Sequence, residues 1–596
     1  MTPAELRDQL LAQRGITDDN RAAFLKPDYA MLYDPYLMHD MDRAAERIIG
    51  AMERNEKICV YSDYDADGIP GAVILHDFFK KIGYEHFCNY IPHRHDEGYG
   101  VHKNALQNLA SEGARLIITV DVGITACDEI AYGNELGLEV IVTDHHEPLE
   151  TLPAAYAIVN PKLGSYPDRM LCGAGVAFKL VQAMIMCGAD AVRAASPAEL
   201  GAVSRPTGRE TDDLKQASAS AAAHGIGAVR ATLPTGWEKW LLDMAGLATL
   251  SDMVPLVNEN RIIAYFGMKV LQKTQRPGLR ALFEKSGISL DHLTETDIVF
   301  SITPKLNAAS RMAHPVDAFN ALATTDRAKA LSAAEHLSKL NDERKKIVAR
   351  IMKDVHKRVI ARRDGGELKQ ILVIGDPSWP AGILGLVASK IIEEYQITAF
   401  VWGAEGESIK GSVRGIGDVT VVELMQAVSG YLTQFGGHED AGGFSTTREH
   451  VHFLEEKLCD AYEQVKKQEP NTKNQTEANY DLELQLSDIT MDHYRAMREL
   501  APFGMGNEKP VFLFKGVEVV SCRQFGKTTE HLEIKIQDPI TKNQAKAISW
   551  YATAESFTEK IEAGKTINLL AEMDYSVFRG RGELRLMIVD ILKHQE

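Results

Sequence analysis

Four short apolar runs punctuate the first third of the chain: KICVYS (57–62), RLIITV (115–120), LEVIVT (138–143) and YAIV (156–159). Helical stretches lie between them, the first from about Ile69 to Lys81. Short β-branched runs alternating with helices predict a parallel sheet in an α/β domain. Open sheets of this kind bind ligands beyond the carboxyl ends of their strands. Residues 1–50 read as helical and amphipathic, and 236–325 as mainly helical. Residues 196–235, rich in Ala, Ser, Thr and Gly without a strong period, read as a surface insertion or flexible loop. From Asp326 to about Arg363 the pattern predicts one long connecting helix, stopped at Asp364-Gly365-Gly366. A second α/β unit follows, with strands at ILVIGD (371–376) and TAFVW (398–402) around a helix at 382–395. The glycine-rich segments SIKGSVRGIGD and GGHEDAGG (436–443) read as loops, and the polar stretch 466–479 as a linker. Beyond about residue 480, some five alternating segments predict strands of a small β-barrel.

These elements predict an α/β multidomain protein. Its parts are an N-terminal helical segment (1–50), a parallel-sheet domain (51–325), the connector helix (326–365), a second α/β domain (366–467) and an OB-like barrel (478–596). A length of 596 residues fits this division, being too great for one core. No apolar run approaches the roughly 18 residues of a membrane span, and MTPAELRDQL lacks the form of a secretory signal. The seven cysteines form no CxxC pair, which argues against a structural zinc motif and a disulfide framework. The expected compartment is cytoplasmic. A net charge of −17 argues against a simple basic nucleic-acid binder. It does not exclude a locally basic channel, and aspartates gathered around cations inflate the negative count.

Three of the four runs end at a carboxylate. Asp63, Asp65 and Asp67 occupy alternate positions of DYDADG directly after the first run. Three carboxylates so close repel one another unless cations neutralise them. Magnesium and manganese take oxygen ligands, and manganese also accepts imidazole. Asp121 follows the second run, and Asp144-His145-His146 the third. Converging at neighbouring strand ends, these groups could hold two divalent ions about 3.5–4 Å apart, the spacing used for phosphoryl displacement. A calcium loop of the EF-hand kind or a plain acidic turn is the alternative for DYDADG alone. The EF-hand is disfavoured because the motif follows a strand and has Ile74 at the twelfth loop position.

The ordered motifs DYDADG, the aspartate after LIITV, TDHH and LSDMVPL resemble the DHH phosphoesterase superfamily. With EGYG (97–100), NPK (160–162), CGAGVAFKL (172–180), KLNAASRM (305–312), WPAGILGLVASK (379–390), GSVRG (411–415), GGHEDAGG and LAPFGMGNEKP (500–510), the pattern resembles its RecJ family of single-strand-specific exonucleases. The resemblance implies a DHH catalytic domain, a DHH-associated substrate-binding domain and an OB barrel. It implies metal ligands at Asp63, Asp65, Asp67, Asp121, His145 and Asp252, and catalytic roles for His146, Asp121 and Arg311. Substrate-binding roles are implied for Asn307, Arg311, Ser412, Arg414, Gly436, Gly437 and His438. Phe525, Trp550, Tyr575 and Phe578 are offered as base-stacking or core residues of the barrel. The chain departs from the family pattern at Pro380, Gly415, Ser310 and Gly442, none of which is a proposed ligand.

The activity implied is 5′→3′ exonuclease digestion of single-stranded DNA with two Mn2+ or Mg2+ ions, in recombination and repair. Single-stranded DNA is the implied partner, with single-strand-binding protein and a helicase as further ones and no membrane. A nanoRNase or cyclic-dinucleotide phosphodiesterase of the same superfamily is the alternative enzyme. Those are usually shorter or membrane-tethered and lack the C-terminal barrel. A non-enzymatic replisome scaffold is disfavoured, because the proposed ligands are all present.

Overall fold

The computed structural model describes residues 1–194, 233–466 and 480–593, apart from gaps at 407, 418, 527–528, 530, 555, 558 and 579–580. Most of the expected insertion at 196–235 and nearly all of the linker at 466–479 lie outside the described residues. Among the described residues no helix is long and apolar enough to cross a membrane.

The first sheet comprises β1 (Lys57–Ser62), β2 (Phe87–Tyr90), β3 (Ala114–Val120), β4 (Glu139–Thr143) and β5 (Ala157–Val159). Its order is β2-β1-β3-β4-β5, and every neighbouring pair is parallel. Successive residues of a strand point to opposite faces. Ile58, Val60, Ile118, Val120, Ile141 and Val159 therefore join one core, while Cys59, Tyr61, Ile117, Val140, Val142 and Ile158 join another. Burial on both faces explains why these strands read as unbroken apolar runs. The exception is β2, absent from the sequence expectation: it is a half-buried edge strand whose residues, FCNY, form no such run.

The connector helix spans Arg327–Asp364, and the side chain of Asp326 caps it by accepting from the Ala328 and Lys329 amides at 2.7 and 3.1 Å. At 1.5 Å per residue it is about 57 Å long. Its first half buries Ala334, Leu337 and Leu340 in the first core. Its second half buries Val348, Ile351, Val355 and Val359 in the core of the next unit. That unit holds β6 (Ile371–Gly375), β7 (Thr398–Glu405), β8 (Ser408–Arg414), β9 (Gln434–Gly437) and β10 (Ala441–Thr446), in the order β6-β7-β8-β10-β9. Both glycine-rich segments expected as loops thus lie largely in strands. Gly411 makes room for a cross-strand ring: a Cβ there would sit 2.1 Å from Cζ of Phe444, its register partner.

The last unit comprises β11 (Leu482–Glu483), β12 (Phe512–Phe525), β13 (His531–Gln537), β14 (Gln544–Ser549), β15 (Thr566–Phe578) and β16 (Arg581–Lys593). The order β12-β13-β14-β16-β15 closes into a barrel where β15 pairs back with β12. Leu6, Leu10 and Leu11 of the helix Pro3–Gln13 lie in this barrel's core. The helix Met41–Glu53 instead packs in the first core through Ala44, Ala45 and Ile48. Residues 1–50 therefore supply two separate cores. The barrel docks on the first unit through Arg261, whose buried guanidinium donates to the carbonyls of Phe24, Leu500, Ala501 and Pro502.

Candidate functional site

Three strands continue their ladders by one residue, and each extra residue is acidic. The Asp63 amide donates to the Val120 carbonyl at 3.1 Å, Asp121 to Thr143 at 3.0 Å and Asp144 to Val159 at 3.1 Å. The sheet order reverses between β1 and β3, the switch point at which such folds open a crevice for ligands. Asp63 and Asp121 flank that point.

Local contacts set the remaining ligands. Asp65 accepts from the amides of Asp67 and Gly68 at 2.7 and 3.1 Å, which turns the chain into the helix Gly68–Ile82. Asp67 accepts from Gly173 and Ala174 at 2.6 and 2.8 Å, at the start of the helix Gly173–Ala194. Gly173 must be small, since its Cβ would lie 2.5 Å from that of Asp121. Asp121 itself has a positive φ of 62°. Asp252 ends the helix Leu242–Ser251, which packs against both the Gly68 and the Gly173 helices.

These residues, far apart in sequence, meet. His145 Nε2 lies 3.1 Å from Asp121 Oδ1, 3.7 Å from Asp67 Oδ2 and 3.8 Å from Asp252 Oδ2. Ligand atoms of Asp63, Asp65 and Asp121 form one neighbourhood within 4.8 Å, and those of Asp67, His145 and Asp252 another. A third such group, Asp121, His145 and His146, overlaps both. Burial and mutual repulsion push the carboxyls up: Asp67 to about 7 and Asp252 to about 8, with Asp63 and Asp121 also well above the usual range. Burial lowers His145 to about 4, favouring a neutral imidazole able to act as a ligand. Asp63 Oδ1 and Asp121 Oδ1 are buried without a hydrogen-bond partner. Crowded carboxylate oxygens left unsatisfied beside a neutral imidazole are the donor set of a hard divalent cation such as Mn2+ or Mg2+.

Asp144 is arranged differently from its neighbours. Its Oδ2 accepts from the Ile124 amide at 2.9 Å. Its Oδ1 accepts from the amides of His145 and His146 at 2.7 and 3.1 Å and meets His146 Nδ1 at 2.7 Å. Burial opposes charge on His146, but Asp144 outweighs it and raises the imidazole to about 9. Asp144 thus positions His146 rather than joining the cluster. Tyr99, of EGYG, and Asn160, of NPK, also hold this histidine: the Tyr99 hydroxyl lies 3.4 Å from Nδ1, and Asn160 Nδ2 donates to the His146 carbonyl at 3.0 Å. The motifs marked these two residues without revealing that contact.

Basic side chains adjoin the cluster. Arg311, on the helix Thr303–Met312, donates to the Gly382 carbonyl at 3.0 Å and thereby touches the second α/β unit. Burial and the charges of Arg94 and Arg344 lower it to about 9, while Asp65 acts in the opposite direction. Asn307, one turn before Arg311, leaves Oδ1 buried and unpartnered. Ser412 and Arg414, on β8, both approach Gly385 near the start of the helix Leu384–Tyr395: Ser412 Oγ lies 3.6 Å and an Arg414 Nη 3.4 Å from where a Cβ would stand. Gly436 and Gly437 lie on β9, and the His438 amide closes its hairpin on the Ala441 carbonyl at 2.7 Å. His438 is exposed and outside the aspartate cluster; its charge is felt by Glu147, next to His146. On the barrel, Trp550 is exposed with its ring 5.7 Å from Phe525, whereas Tyr575 packs against Tyr494. The side chain of Phe578 lies outside the described residues.

Comparison with known proteins matches residues 57–204 to the DHH family, N-terminal domain, 368–468 to the DHHA1 domain and 480–590 to the RecJ OB domain. The single-stranded-DNA-specific exonuclease RecJ of Bacillus subtilis (strain 168) is 32% identical over 587 residues, covering 98% of this chain and 67% of that protein. The chain belongs to the RecJ family. RecJ of Escherichia coli (strain K12) is 27% identical over 605 residues, covering 99% of this chain and 96% of its own. The crystal structure of Thermus thermophilus RecJ with Mn2+ matches the fold with a TM-score of 0.75 at 23% identity, over 99% of this chain and 76% of that one. A structure of exonuclease RecJ bound to manganese matches with a TM-score of 0.57 at 28% identity, over 73% of this chain and 96% of that one. Within the RecJ pattern, the departure at Ser310 is accommodated locally, its hydroxyl donating to the Asn307 carbonyl at 3.2 Å.

Proposed function

We propose that this protein is a single-strand-specific DNA exonuclease that hydrolyses phosphodiester bonds from the 5′ end with two divalent cations, Mn2+ or Mg2+. The observation that carries this reading is the convergence of Asp63, Asp65, Asp67, Asp121, His145 and Asp252 into two adjoining ligand neighbourhoods, with Asp63 and Asp121 oxygens left unsatisfied. Kinship to RecJ proteins, one solved with manganese at 28% identity, supports the choice of substrate and metal.

In this reading Asp63, Asp65 and Asp121 hold one cation, and Asp67, His145 and Asp252 the other. Bound there, divalent cations supply Lewis acidity and lower the pKa of attached water. The chain's own groups orient the phosphate. Arg311 offers a planar donor pair suited to phosphate oxygens. Ser412 and Arg414 anchor a terminal phosphate, and Gly436, Gly437 and His438 line the strand's path. With Nδ1 tied to Asp144, His146 keeps a proton near neutral pH and offers Nε2 to the phosphate side. We assign the parallel-sheet unit to catalysis, the second α/β unit to substrate binding and the barrel to the trailing strand. The setting proposed is cytoplasmic recombination and repair, with single-strand-binding protein and a helicase as the partners that expose and hand over the strand.

An assay with end-labelled oligonucleotides tests the proposal. Single strands should be degraded to mononucleotides from the 5′ end in Mn2+ or Mg2+ and be stable in EDTA, with duplexes resistant. Absence of metal-dependent loss from the 5′ end would refute it.

A further inference from the structure

The connector helix passes from the first core to the second between Leu340 and Val348. In that crossing it carries Asn341, only 3% exposed, and Arg344, half-buried. Asn341 Oδ1 and Arg344 Nε are both buried without a hydrogen-bond partner. The helix Thr303–Met312, packed against this one, repeats the pattern: Asn307 Oδ1 and Arg311 Nε are buried and unpartnered too. Asn307 and Arg311 stand four positions apart, Asn341 and Arg344 three, so each pair shares one helix face. Buried polar atoms are nearly always satisfied, and four unsatisfied ones on two contacting helices mark a place for an absent group.

The chemistry of that group follows from the donors. Two guanidiniums present N–H groups only, and an asparagine turned about its last bond presents Nδ2 in place of Oδ1. The charges of Arg94 and Arg344 both act on Arg311, and burial of Arg344 is not offset by any acidic neighbour. Several donors and clustered positive charge call for an anion with several oxygens. Arg311 links the place to the metal cluster on one side, through the charge of Asp65, and to Gly382 of the second unit on the other.

We propose that Asn341 and Arg344 complete, with Asn307 and Arg311, a subsite for an internucleotide phosphodiester of the bound strand, next to the phosphate at the metal cluster. This inference rests on the single-strand reading above and adds two residues of the connector helix to it.

Anisotropy of a 3′-labelled twelve-residue oligo-dT in EDTA, where the strand stays intact, tests it across a salt series. Each phosphate contact on a single strand contributes roughly 0.7 to the slope of log K against log salt. Arg344→Gln is expected to bind about tenfold more weakly and to lose roughly that increment of slope. Arg344→Lys keeps the charge, so it should keep the slope and recover part of the affinity. The loss should be equal for 5′-hydroxyl and 5′-phosphate strands. Unchanged affinity and slope in Arg344→Gln overturns the proposal, as does a loss confined to 5′-phosphorylated strands, which would make this a terminal-phosphate site. Should Arg344→Gln fail to fold, Asn341→Ala takes its place: about threefold weaker binding supports the subsite, and wild-type affinity overturns it. Failure of the wild type itself to bind oligo-dT would instead refute the single-strand reading.

Discussion

Asp144 and Asp121 follow adjacent strands, yet their carboxylates meet different fates. Both oxygens of Asp144 face an amide or the His146 ring, whereas Asp121 Oδ1 has no hydrogen-bond donor. Asp144→Asn should therefore lower kcat about 10–100-fold, the usual cost of losing an orienting partner, while Mn2+ affinity measured by calorimetry stays near wild type. Asp121→Asn should abolish turnover and weaken metal binding with no loss of melting temperature, because it relieves repulsion; gross unfolding would instead mark Asp121 as a structural residue. The same repulsion sets a pH dependence. Asp67 at about 7 and Asp252 at about 8 bind protons in the fold that an unfolded chain, with aspartates near 3.9, has released. The metal-free protein therefore loses stability as pH rises from about 4 through 8. Melting in EDTA should show this decline, Asp252→Asn should flatten it, and Mn2+ should raise the melting temperature more at pH 8 than at pH 6. The sequence revealed Asp63, Asp65, Asp67, Asp121 and His145 by their place after strands. Asp252 was visible only through the resemblance, because a single aspartate at a helix end carries no local mark of the cluster it joins.

At the scale of elements, the strands with two buried faces were legible because their residues had to be continuously apolar. The edge strand β2 was not, and neither were β8 and the β9–β10 hairpin, where glycine serves packing rather than turning. The start of the Gly173 helix is where element and site join. Its first amides bind Asp67, and its first Cα lies against Asp121. Gly173→Ala should displace Asp121 and lower Mn2+ affinity at least tenfold, with the helix itself little affected, since alanine is the better helix former. Circular dichroism and metal titration on one sample separate the two effects; undiminished affinity would show that the cluster tolerates the added methyl.

The units of the whole molecule are tied by the connector helix, by the Arg261 guanidinium, and by the first fifty residues, whose helix Pro3–Gln13 joins the barrel core while Met41–Glu53 joins the first core. The connector helix was legible as a connector from its length and pattern; the other two ties were not, because an amphipathic stretch announces that it needs a partner and not where the partner lies in sequence. Leu10, fully buried in the barrel core, illustrates the point. Leu10→Ala should cost about 2–5 kcal/mol, as for other large-to-small core changes. Calorimetry should show the barrel's transition shifted and the first unit's unmoved; the reverse would mean that the helix belongs energetically to the first core. The arrangement also imposes an order on biosynthesis. The leucine stripe of Pro3–Gln13 leaves the ribosome about 500 positions ahead of the first barrel strand, β12. The last barrel strand follows about 580 positions behind it, so at translation rates of 5–20 residues per second the stripe waits roughly 30–115 s for its binding site to be complete. Throughout that interval the stripe lacks the apolar partners that bury it in the folded protein, while the first unit, complete in sequence, can already fold behind it.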